Sequence, residues 1–149
     1  MENEPSKSVV DAWIALMRAQ HAALLKVERA LRDAGLPPFA WYDALWELDR
    51  AKGDGLRPYA IEHGMLMAQS NVSRLLDRLE TNGLVERRPC KEDGRGHLVA
   101  ITEAGRDLRR RIWPVYAAAI NDAVGAQLSE DEAAKLAGLL RQISAHHEA

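Results

Sequence analysis

The spacing of apolar residues predicts one long amphipathic helix between Ser8 and Asp33. Apolar side chains recur there at steps of three and four, which aligns them on one helix face. The stripe consists of Trp13, Leu16, Met17, Leu24, Val27 and Leu31, with Gln20 among them. Ala34-Gly35 and Pro37-Pro38 end the pattern. Such a helix would be about 39 Å long, more than a small core can cover, so we expect a second copy of the chain to cover its apolar face.

Two shorter helices follow in the pattern. Phe39 to Lys52 is apolar over more than half of a helix circumference, which indicates a buried helix. Lys52-Gly53-Asp54-Gly55 then interrupts the pattern as a loop. Arg57-Pro58 begins a short helix that reaches about Met65, because proline is favoured in the first turn.

The stretch from Met67 to Thr102 predicts a helix followed by a β-hairpin. The helix has apolar residues at i, i+3, i+4 and i+7, namely Val72, Leu75, Leu76 and Leu79. Asn82-Gly83 ends it, because both residues tolerate the left-handed conformation of a helix C-terminus. Leu84-Val85 and His97 to Ile101 are β-prone, and Cys90 to Gly96 between them predicts a protruding tip, longer than a tight turn.

Two further helices are predicted after the hairpin. Thr102 can cap the first, which runs to about Gly125, and Pro114 inside it predicts a kink in the preceding turn. Ser129 and Glu132 have the spacing of a capping box at the start of the last helix. The predicted fold class is therefore mainly α with a small β-hairpin wing.

The outward face of the helix around Val72 differs from an ordinary surface helix, which is normally rich in Glu and Lys. Its polar residues are Gln69, Ser70, Asn71, Ser73, Arg74, Asp77 and Arg78. Such side chains can bond to base edges and phosphates, and a helix N-terminus also favours anions. A polar helix followed by a hairpin with a basic tip is typical of a winged helix-turn-helix, in which the helix enters the major groove and the wing reaches the minor groove.

Four fragments, in order and spacing, resemble the MarR family of bacterial transcriptional regulators. They are Ser70 to Glu80 (SNVSRLLDRLE), Gly83-Leu84-Val85, Asp93-Gly94-Arg95 and Ile101 to Gly105 (ITEAG). The resemblance extends over nearly the whole chain in length and helix order. It implies a ligand-responsive homodimer, acting as a repressor, that binds a pseudo-palindromic site on double-stranded DNA.

The resemblance also implies how one domain of residues 1–149 is organised. Residues 8–34 and 103–147 would form dimerisation helices, and residues 38–102 the winged helix-turn-helix core. In the wing, Asp93 would orient the tip and Arg95 would enter the minor groove. The expected DNA contacts are Gln69, Ser70, Asn71, Ser73, Arg74, Arg78, Arg87, Arg88, Lys91, Asp93 and Arg95. Arg78 could instead form an ion pair with Asp77 or Glu80.

Effectors of the family bind between the dimerisation helices and the winged core. The resemblance therefore implies a pocket for an aromatic or amphipathic effector, lined by Trp13, His21, Trp41, Tyr42 and Trp46. The alternative is plain core packing, which is the usual role of aromatic residues at helical spacing.

The chain departs from the family pattern at the turn of the helix-turn-helix. Glu62 and Leu66 stand where the family commonly has a small residue and a turn glycine, and Ala68 replaces the usual Ser or Thr cap. Loss of such a cap costs about 1 kcal/mol. We therefore expect a poorly capped start to the polar helix.

Overall composition constrains the partner less than the position of the charges does. The net charge is −2, and residues 67–97 hold six basic against five acidic residues. Any basic surface must therefore arise from geometry rather than from composition. The absence of an 18-residue apolar run and of a secretory pattern predicts a cytoplasmic protein that does not bind membranes.

Cys90 is the only cysteine of the sequence, so an internal disulfide is excluded. The neighbouring Arg87, Arg88 and Lys91 would stabilise a thiolate, which leaves a redox-responsive regulator as one alternative to an unreactive loop thiol. The modest local charge leaves a second alternative, a winged-helix protein-interaction module without affinity for DNA.

Neither a catalytic site nor a metal site is predicted. The sequence has no Gly-rich phosphate loop, no nucleophile with a paired histidine and no inward carboxylate cluster, so we expect neither an enzyme nor a cofactor. His146, His147 and Glu148 have zinc-binding chemistry, but near a chain terminus such residues are more often solvated.

Overall fold

Helices dominate the fold, together with one β-hairpin, as predicted. The computed structural model describes residues 3–51, 54–68, 70–90 and 96–145. Its elements in chain order are α1 (Lys7–Asp33), α2 (Phe39–Arg50), α3 (Pro58–Gly64), α4 (Val72–Thr81), β1 (Val85–Pro89), β2 (His97–Ile101), α5 (Glu103–Ile120), a π-helical turn (Asn121–Gly125) and α6 (Glu130–Ser144). The chain divides into two compact units. We call residues 31–115 the winged unit and residues 1–30 with 116–149 the terminal-helix unit.

The winged unit has a well-buried apolar core. The face predicted for α4 is buried throughout, at Val72, Leu75, Leu76 and Leu79. Other elements of the unit contribute further buried side chains, among them Leu45 of α2, Ile61 of α3, Val99 of β2 and Ile112 of α5. Each fully buried Leu or Ile stabilises the fold by about 1.5–3 kcal/mol. The core therefore holds the inner face of α4 and leaves its polar face outward.

The hairpin pairs β1 and β2 in antiparallel register, from Val85 opposite Ile101 to Pro89 opposite His97. Leu56 adds a short third edge that the sequence pattern does not predict. Its N–H donates to the Val99 carbonyl at 2.9 Å, and the Val99 N–H donates to the Leu56 carbonyl at 2.8 Å. Gly55 precedes this bridge with φ +124°, and a Cβ there would lie 2.4 Å from the Val99 oxygen. Glycine is therefore required where the loop before α3 meets the wing.

Several predicted helix ends are confirmed in the winged unit. α4 ends at Asn82 and Gly83, whose φ is +72°. The Thr102 hydroxyl caps α5, accepting from the Gly105 N–H at 3.1 Å and donating to the Gly83 carbonyl at 2.6 Å. The prediction for α2 was too long, because this helix ends at Arg50.

α5 continues through Pro114, and the irregular part of the segment lies later, in the π-helical turn Asn121–Gly125. The proposed kink before Pro114 stays a prediction. Gly105 is needed for packing rather than merely tolerated. A Cβ at this position would lie 2.2 Å from the Leu84 carbonyl oxygen, so α5 can approach the hairpin only with glycine there.

The terminal-helix unit comprises α1 up to residue 30, the end of α5, the π-helical turn and α6. The predicted capping box is confirmed: Ser129 Oγ accepts from the Glu132 N–H at 3.2 Å, and the Glu132 carboxylate accepts from the Ser129 N–H at 3.0 Å. Among the described residues of this unit, Val27 and Ala119 are the buried apolar ones. Large apolar side chains are instead exposed on α1 and α6, at Val9, Val10, Trp13, Ile14, Met17, Leu25, Leu136, Leu139 and Ile143.

Candidate nucleic-acid interface

The N-terminus of α4 lies later in the chain than the sequence suggested, and it is well capped. Asn71 is the N-cap, and its side-chain oxygen accepts from the Arg74 N–H at 2.9 Å. The expectation of a missing cap at Ala68 was therefore wrong, because asparagine supplies the cap three residues further on. Ser70 and Asn71 precede the first turn of α4, where unpaired N–H groups attract anions.

The outer face of α4 is exposed and polar, at Ser73, Arg74, Asp77 and Arg78. Within the described parts of the chain, the structure records no carboxylate partner for the guanidinium group of Arg74 or Arg78. The ion pair considered between Arg78 and Asp77 or Glu80 is not recorded among the described residues, where both carboxylates pair with Arg87. Two cations on the exposed side of a capped helix can approach phosphates or base edges.

Arg87 forms ion pairs with Asp77 and Glu80, the two carboxylates that were considered as partners of Arg78. From β1 it donates to Asp77 at 2.8 Å and to Glu80 at 2.7 Å. Partial burial lowers the pKa of Arg87, but the hydrogen bonds and charges of Asp77 and Glu80 outweigh this and raise the pKa above its ordinary value. The pairing joins the wing to α4 and offsets half of the negative charge of two acidic groups that would otherwise repel phosphates. A direct DNA contact by Arg87 stays a prediction.

The remaining predicted DNA contacts belong to the wing or to the turn before α4. Arg88 is exposed on β1 and is paired with Glu86, through its Nε at 2.8 Å and also through its Nη2. Gln69, Lys91, Asp93 and Arg95 lie outside the described residues, as do His146, His147 and Glu148. Their proposed roles stay predictions.

A buried carboxylate of α2 was missed by the sequence reasoning. Asp43 is 1% exposed, and its two oxygens accept the backbone N–H groups of Leu66 and Met67, each at 2.9 Å. Burial raises the pKa of Asp43 above its ordinary value, although the two hydrogen bonds act in the opposite direction. The signal in the sequence was an acidic residue among the apolar residues of a helix predicted to be buried.

Cys90 is not an exposed loop thiol, since only 8% of the residue is accessible. The cation recorded at its sulfur is Arg57, whose Nη2 donates to Sγ at 3.2 Å, rather than Arg87 or Arg88. Reactive cysteines are normally partly exposed as well as close to a cation, so the burial of Cys90 disfavours a fast redox switch.

The aromatic effector candidates are divided between the two units. Trp13 and His21 are exposed in the terminal-helix unit, whereas Trp41, Tyr42 and Trp46 belong to α2 of the winged unit. The expectation that α2 is apolar and buried all round was wrong for Trp46, which is exposed.

Tyr42 and Trp46 belong to a cluster between α2 and α5. The ring of Tyr42 stacks on Trp113 at 6.3 Å, and the Arg109 guanidinium lies 5.3 Å from the Trp46 ring centroid. Burial raises the pKa of Tyr42, although a hydrogen bond with Arg109 lowers it in part. Asp49 holds Arg109 and also pairs with Arg106 at 3.3 Å. The cluster offers two partly exposed indole rings beside a guanidinium group.

Neither a metal centre nor a membrane span is found within the described ranges. No group of three or more His, Cys, Asp or Glu residues there could hold a metal ion. None of the described helices contains an apolar stretch that could span a bilayer.

Comparison with known sequences agrees with the geometry. The sequence profile of the MarR family matches residues 35–96. Over 132 residues the chain is 30% identical to the HTH-type transcriptional regulator MhqR of Bacillus subtilis (strain 168), and the alignment covers 88% of each chain. It is 32% identical over 82 residues to YkoM, an HTH-type transcriptional regulator of the same strain. That shorter match covers 55% of this chain and about half (53%) of YkoM.

Solved structures share the fold over almost the whole chain. Sco3205, a MarR family transcriptional regulator from Streptomyces coelicolor solved in complex with DNA, is 27% identical with a TM-score of 0.81, and the match covers 95% of this chain and 91% of Sco3205. CouR from Rhodococcus jostii RHA1, solved with bound p-coumaroyl-CoA, is 27% identical with a TM-score of 0.74 over 90% of this chain and 92% of CouR. The sequence matches and the shared fold, with its capped polar helix and its hairpin, show that the chain belongs to the MarR family of DNA-binding transcriptional regulators.

Proposed function

We propose that this regulator is a homodimeric repressor that places α4 in the major groove of DNA and its wing in the adjacent minor groove. The observation that carries the proposal is the division of α4 into two faces. Four apolar side chains are buried, and the opposite face carries Ser73, Arg74 and Arg78 beside the Asn71 cap. The DNA complex of Sco3205, which has the same fold at 27% identity, supports DNA binding by this fold.

The proposed dimer rests on the apolar stripes of the terminal-helix unit. Trp13 is 62% exposed on α1, and Leu139 and Ile143 are 53% and 65% exposed on α6. Rows of exposed large apolar side chains are typical of an interface with another protein. A second copy offers the same stripes, so a two-fold contact could cover them in both chains.

A two-fold dimer determines the form of the DNA site. The two α4 helices would enter successive major grooves on one side of the duplex, with half-sites about 34–36 Å apart. The site would therefore be a pseudo-palindrome. Each phosphate contact releases counterions, so affinity should fall steeply with increasing salt concentration.

Duplex selection tests this proposal directly. The full chain is offered a random double-stranded pool, and Kd for the recovered duplex is measured at several salt concentrations. We expect an inverted repeat and a log-log salt slope of about −0.9 for each phosphate neutralised. Failure to recover any duplex at low salt would contradict the proposal.

A pair of arginine variants locates the contact. Arg74→Ala removes a cation from α4, whereas Arg141→Ala makes the same change on α6. We expect Arg74→Ala to weaken binding by about 10-fold or more, because a base or phosphate contact is worth roughly 1–3 kcal/mol. Arg141→Ala should leave Kd almost unchanged, and equal effects of the two variants would exclude α4 as the reading element.

We further propose that an aromatic or amphipathic acid modulates DNA binding, with the indole rings of Trp46 and Trp113 and the cation of Arg109 as its contacts. The complex of CouR with p-coumaroyl-CoA supports a ligand of this class. A ligand that prefers a dimer mis-spaced for DNA lowers DNA affinity by the same factor by which DNA lowers ligand affinity. Contacts by Trp13, His21 and Trp41 stay predictions.

A thermal-shift screen of small aromatic acids tests the effector. A true ligand should raise the melting temperature of the parent in proportion to the logarithm of its concentration, and the rise should be smaller in Arg109→Met. A ligand that stabilises both proteins equally would bind elsewhere.

The redox alternative retains one specific observation, the contact of Arg57 with the Cys90 sulfur at 3.2 Å. It predicts that peroxide releases DNA from the parent protein but not from Cys90→Ser. Equal release from both proteins, or from neither, would exclude it. An interaction module without DNA affinity would instead be favoured if Arg95→Ala left DNA retention unchanged.

A further inference from the structure

We propose that Asp43 is the positioning residue for DNA recognition: its buried carboxylate fixes the turn between α3 and α4 and so sets where the N-terminus of α4 meets DNA. The inference rests on the proposed DNA contact of α4. Asp43 is buried and cannot contact DNA, but in this proposal it contributes to recognition of the DNA site.

The geometry of Asp43 fits a role in the turn rather than in α2 itself. Its Oδ1 accepts from the Leu66 N–H and its Oδ2 from the Met67 N–H, both at 2.9 Å. Leu66 and Met67 are consecutive residues of the turn that leads to the Asn71 cap. A single carboxylate therefore holds two successive backbone groups of the segment that enters α4.

The Leu66 side chain packs little against the core. Leu66 is 71% exposed, so its side chain contributes little packing although its N–H is bound to a buried group. Met65 is buried and anchors only the start of the turn. α2, in contrast, is held by the buried Leu45 and Leu48. Asp43 thus ties the backbone of an exposed residue to a helix that is anchored in the core.

Loss of this attachment would widen the set of turn conformations. The two N–H groups could find water instead, but water does not fix their direction. If only a fraction of molecules hold α4 in the competent position, the apparent Kd rises in inverse proportion to that fraction. Recognition of a specific site depends on this position more than non-specific attraction to phosphates does.

Asp43→Asn is the informative variant because it preserves the shape of the side chain. The amide retains one acceptor oxygen, but its NH₂ group would face a backbone N–H, donor against donor. The substitution also removes a negative charge from the DNA-binding unit, which by charge alone would tighten DNA binding. A positioning role and a simple electrostatic role therefore predict opposite signs.

Glu47→Gln is the matched control. Glu47 lies one helical turn further along α2, is also buried, and loses the same charge. Its carboxylate lies against Gly64 at the end of α3 and forms an ion pair with Arg50 at 3.4 Å, but among the described residues no hydrogen bond joins it to Leu66 or Met67. It therefore separates the charge effect from the loss of the two turn hydrogen bonds.

The experiment compares the full-length parent, Asp43→Asn and Glu47→Gln on the duplex selected by the parent and on a scrambled duplex, well below the melting temperature of each. We expect Asp43→Asn to weaken binding to the selected duplex by roughly 10- to 100-fold, because hydrogen bonds to a charged group are lost. Binding to the scrambled duplex should change by less than about threefold, within the scatter expected for surface effects. Affinity equal to that of Glu47→Gln, or an equal loss on both duplexes, would overturn the proposal.

Amide hydrogen exchange provides a readout that does not depend on DNA. The Leu66 and Met67 amides should be protected in the parent and in Glu47→Gln, and should lose protection in Asp43→Asn while the buried amides of α4 keep theirs. Unchanged protection in Asp43→Asn would overturn the proposal. If the parent binds no duplex, the proposed function fails, and the exchange result still decides whether Asp43 holds the turn.

If Asp43→Asn does not fold, Leu66→Pro is the second variant, because proline lacks the backbone N–H that donates to Asp43 at this position. Met65, before it, already has ψ 142°, the extended conformation that a following proline requires. We expect the same selective loss of affinity for the selected duplex. Parent-like affinity in Leu66→Pro would overturn the proposal.

Discussion

The winged unit buries most of its large apolar side chains, whereas the terminal-helix unit leaves most of its own exposed. All the buried apolar residues of the described chain lie in the winged unit, except Val27 and Ala119. The terminal-helix unit carries its apolar residues on exposed stripes of α1 and α6. Both units contain amphipathic helices. Helical periodicity therefore identifies an apolar face, but it does not show whether that face packs within the chain or against another protein. In one unit the chain covers itself, and in the other we propose that a second copy does.

The largest expected effect comes from a charge on the exposed stripe. Leu139→Glu would bury an unpaired carboxylate twice in a two-fold interface, which is strongly unfavourable. We expect dissociation into monomers and, because two half-sites no longer bind together, a loss of DNA affinity of about 10²- to 10⁴-fold. Sedimentation equilibrium and DNA titration measure the two effects.

Gln142→Glu serves as the control, because it adds the same charge to an exposed polar position of α6. It should leave the dimer intact. A Leu139→Glu protein that remains dimeric would show that the α6 stripe is not the interface.

The next largest effect concerns the core of the winged unit. Leu79 is fully buried on α4, so Leu79→Ala should lower the free energy of unfolding by about 2–5 kcal/mol. Leu66→Ala, at an exposed position, should change it by less than about 0.5 kcal/mol. Urea titrations at fixed protein concentration compare them. Similar effects of the two substitutions would mean that the winged unit does not supply its own core.

Replacing one glycine in each unit with alanine should have opposite effects on stability. Gly55→Ala would place a Cβ 2.4 Å from the Val99 oxygen at φ +124°, and we expect a loss of about 1–3 kcal/mol of stability. Gly138 lies within α6, and a Cβ added there would meet no neighbouring atom within 4 Å, so Gly138→Ala should stabilise the helix by up to about 1 kcal/mol. Thermal unfolding measures both changes in stability. A change of the same sign in the two variants would contradict this prediction.

The smallest expected effect is the pH dependence of the α6 cap. Backbone and side-chain hydrogen bonds with Ser129 lower the pKa of Glu132 below its ordinary value. A lowered carboxyl pKa contributes stability that is present above the unfolded pKa and is lost as the pH falls through the folded pKa. NMR titration should therefore show Glu132 ionising at lower pH in the parent than in Ser129→Ala. Ionisation of Glu132 at the same pH in both proteins would contradict the assignment of the pKa shift to the capping box.

The residues of the candidate interface were predictable to different degrees. Ser73, Arg74 and Arg78 could be assigned to an outer face because helical periodicity alone orients side chains around an axis. The ion pairs could not be assigned, because Arg87 lies seven residues beyond Glu80 and reaches α4 only through the chain reversal at Gly83. The same holds for Arg57 and Cys90, which are 33 positions apart.

Local patterns in the amino-acid sequence by themselves determined the helices, the Asn82-Gly83 stop and the capping box at Ser129, because each depends on residues within about one or two turns of each other. The hairpin was indicated by two β-prone runs that are close in the chain. The tertiary structure alone decided that Asp43 holds a turn 23 residues away, that Leu56 pairs with Val99 and that Arg87 forms ion pairs with Asp77 and Glu80. These contacts join groups distant in sequence. Their formation depends on how the elements pack rather than on the conformational preferences of neighbouring residues.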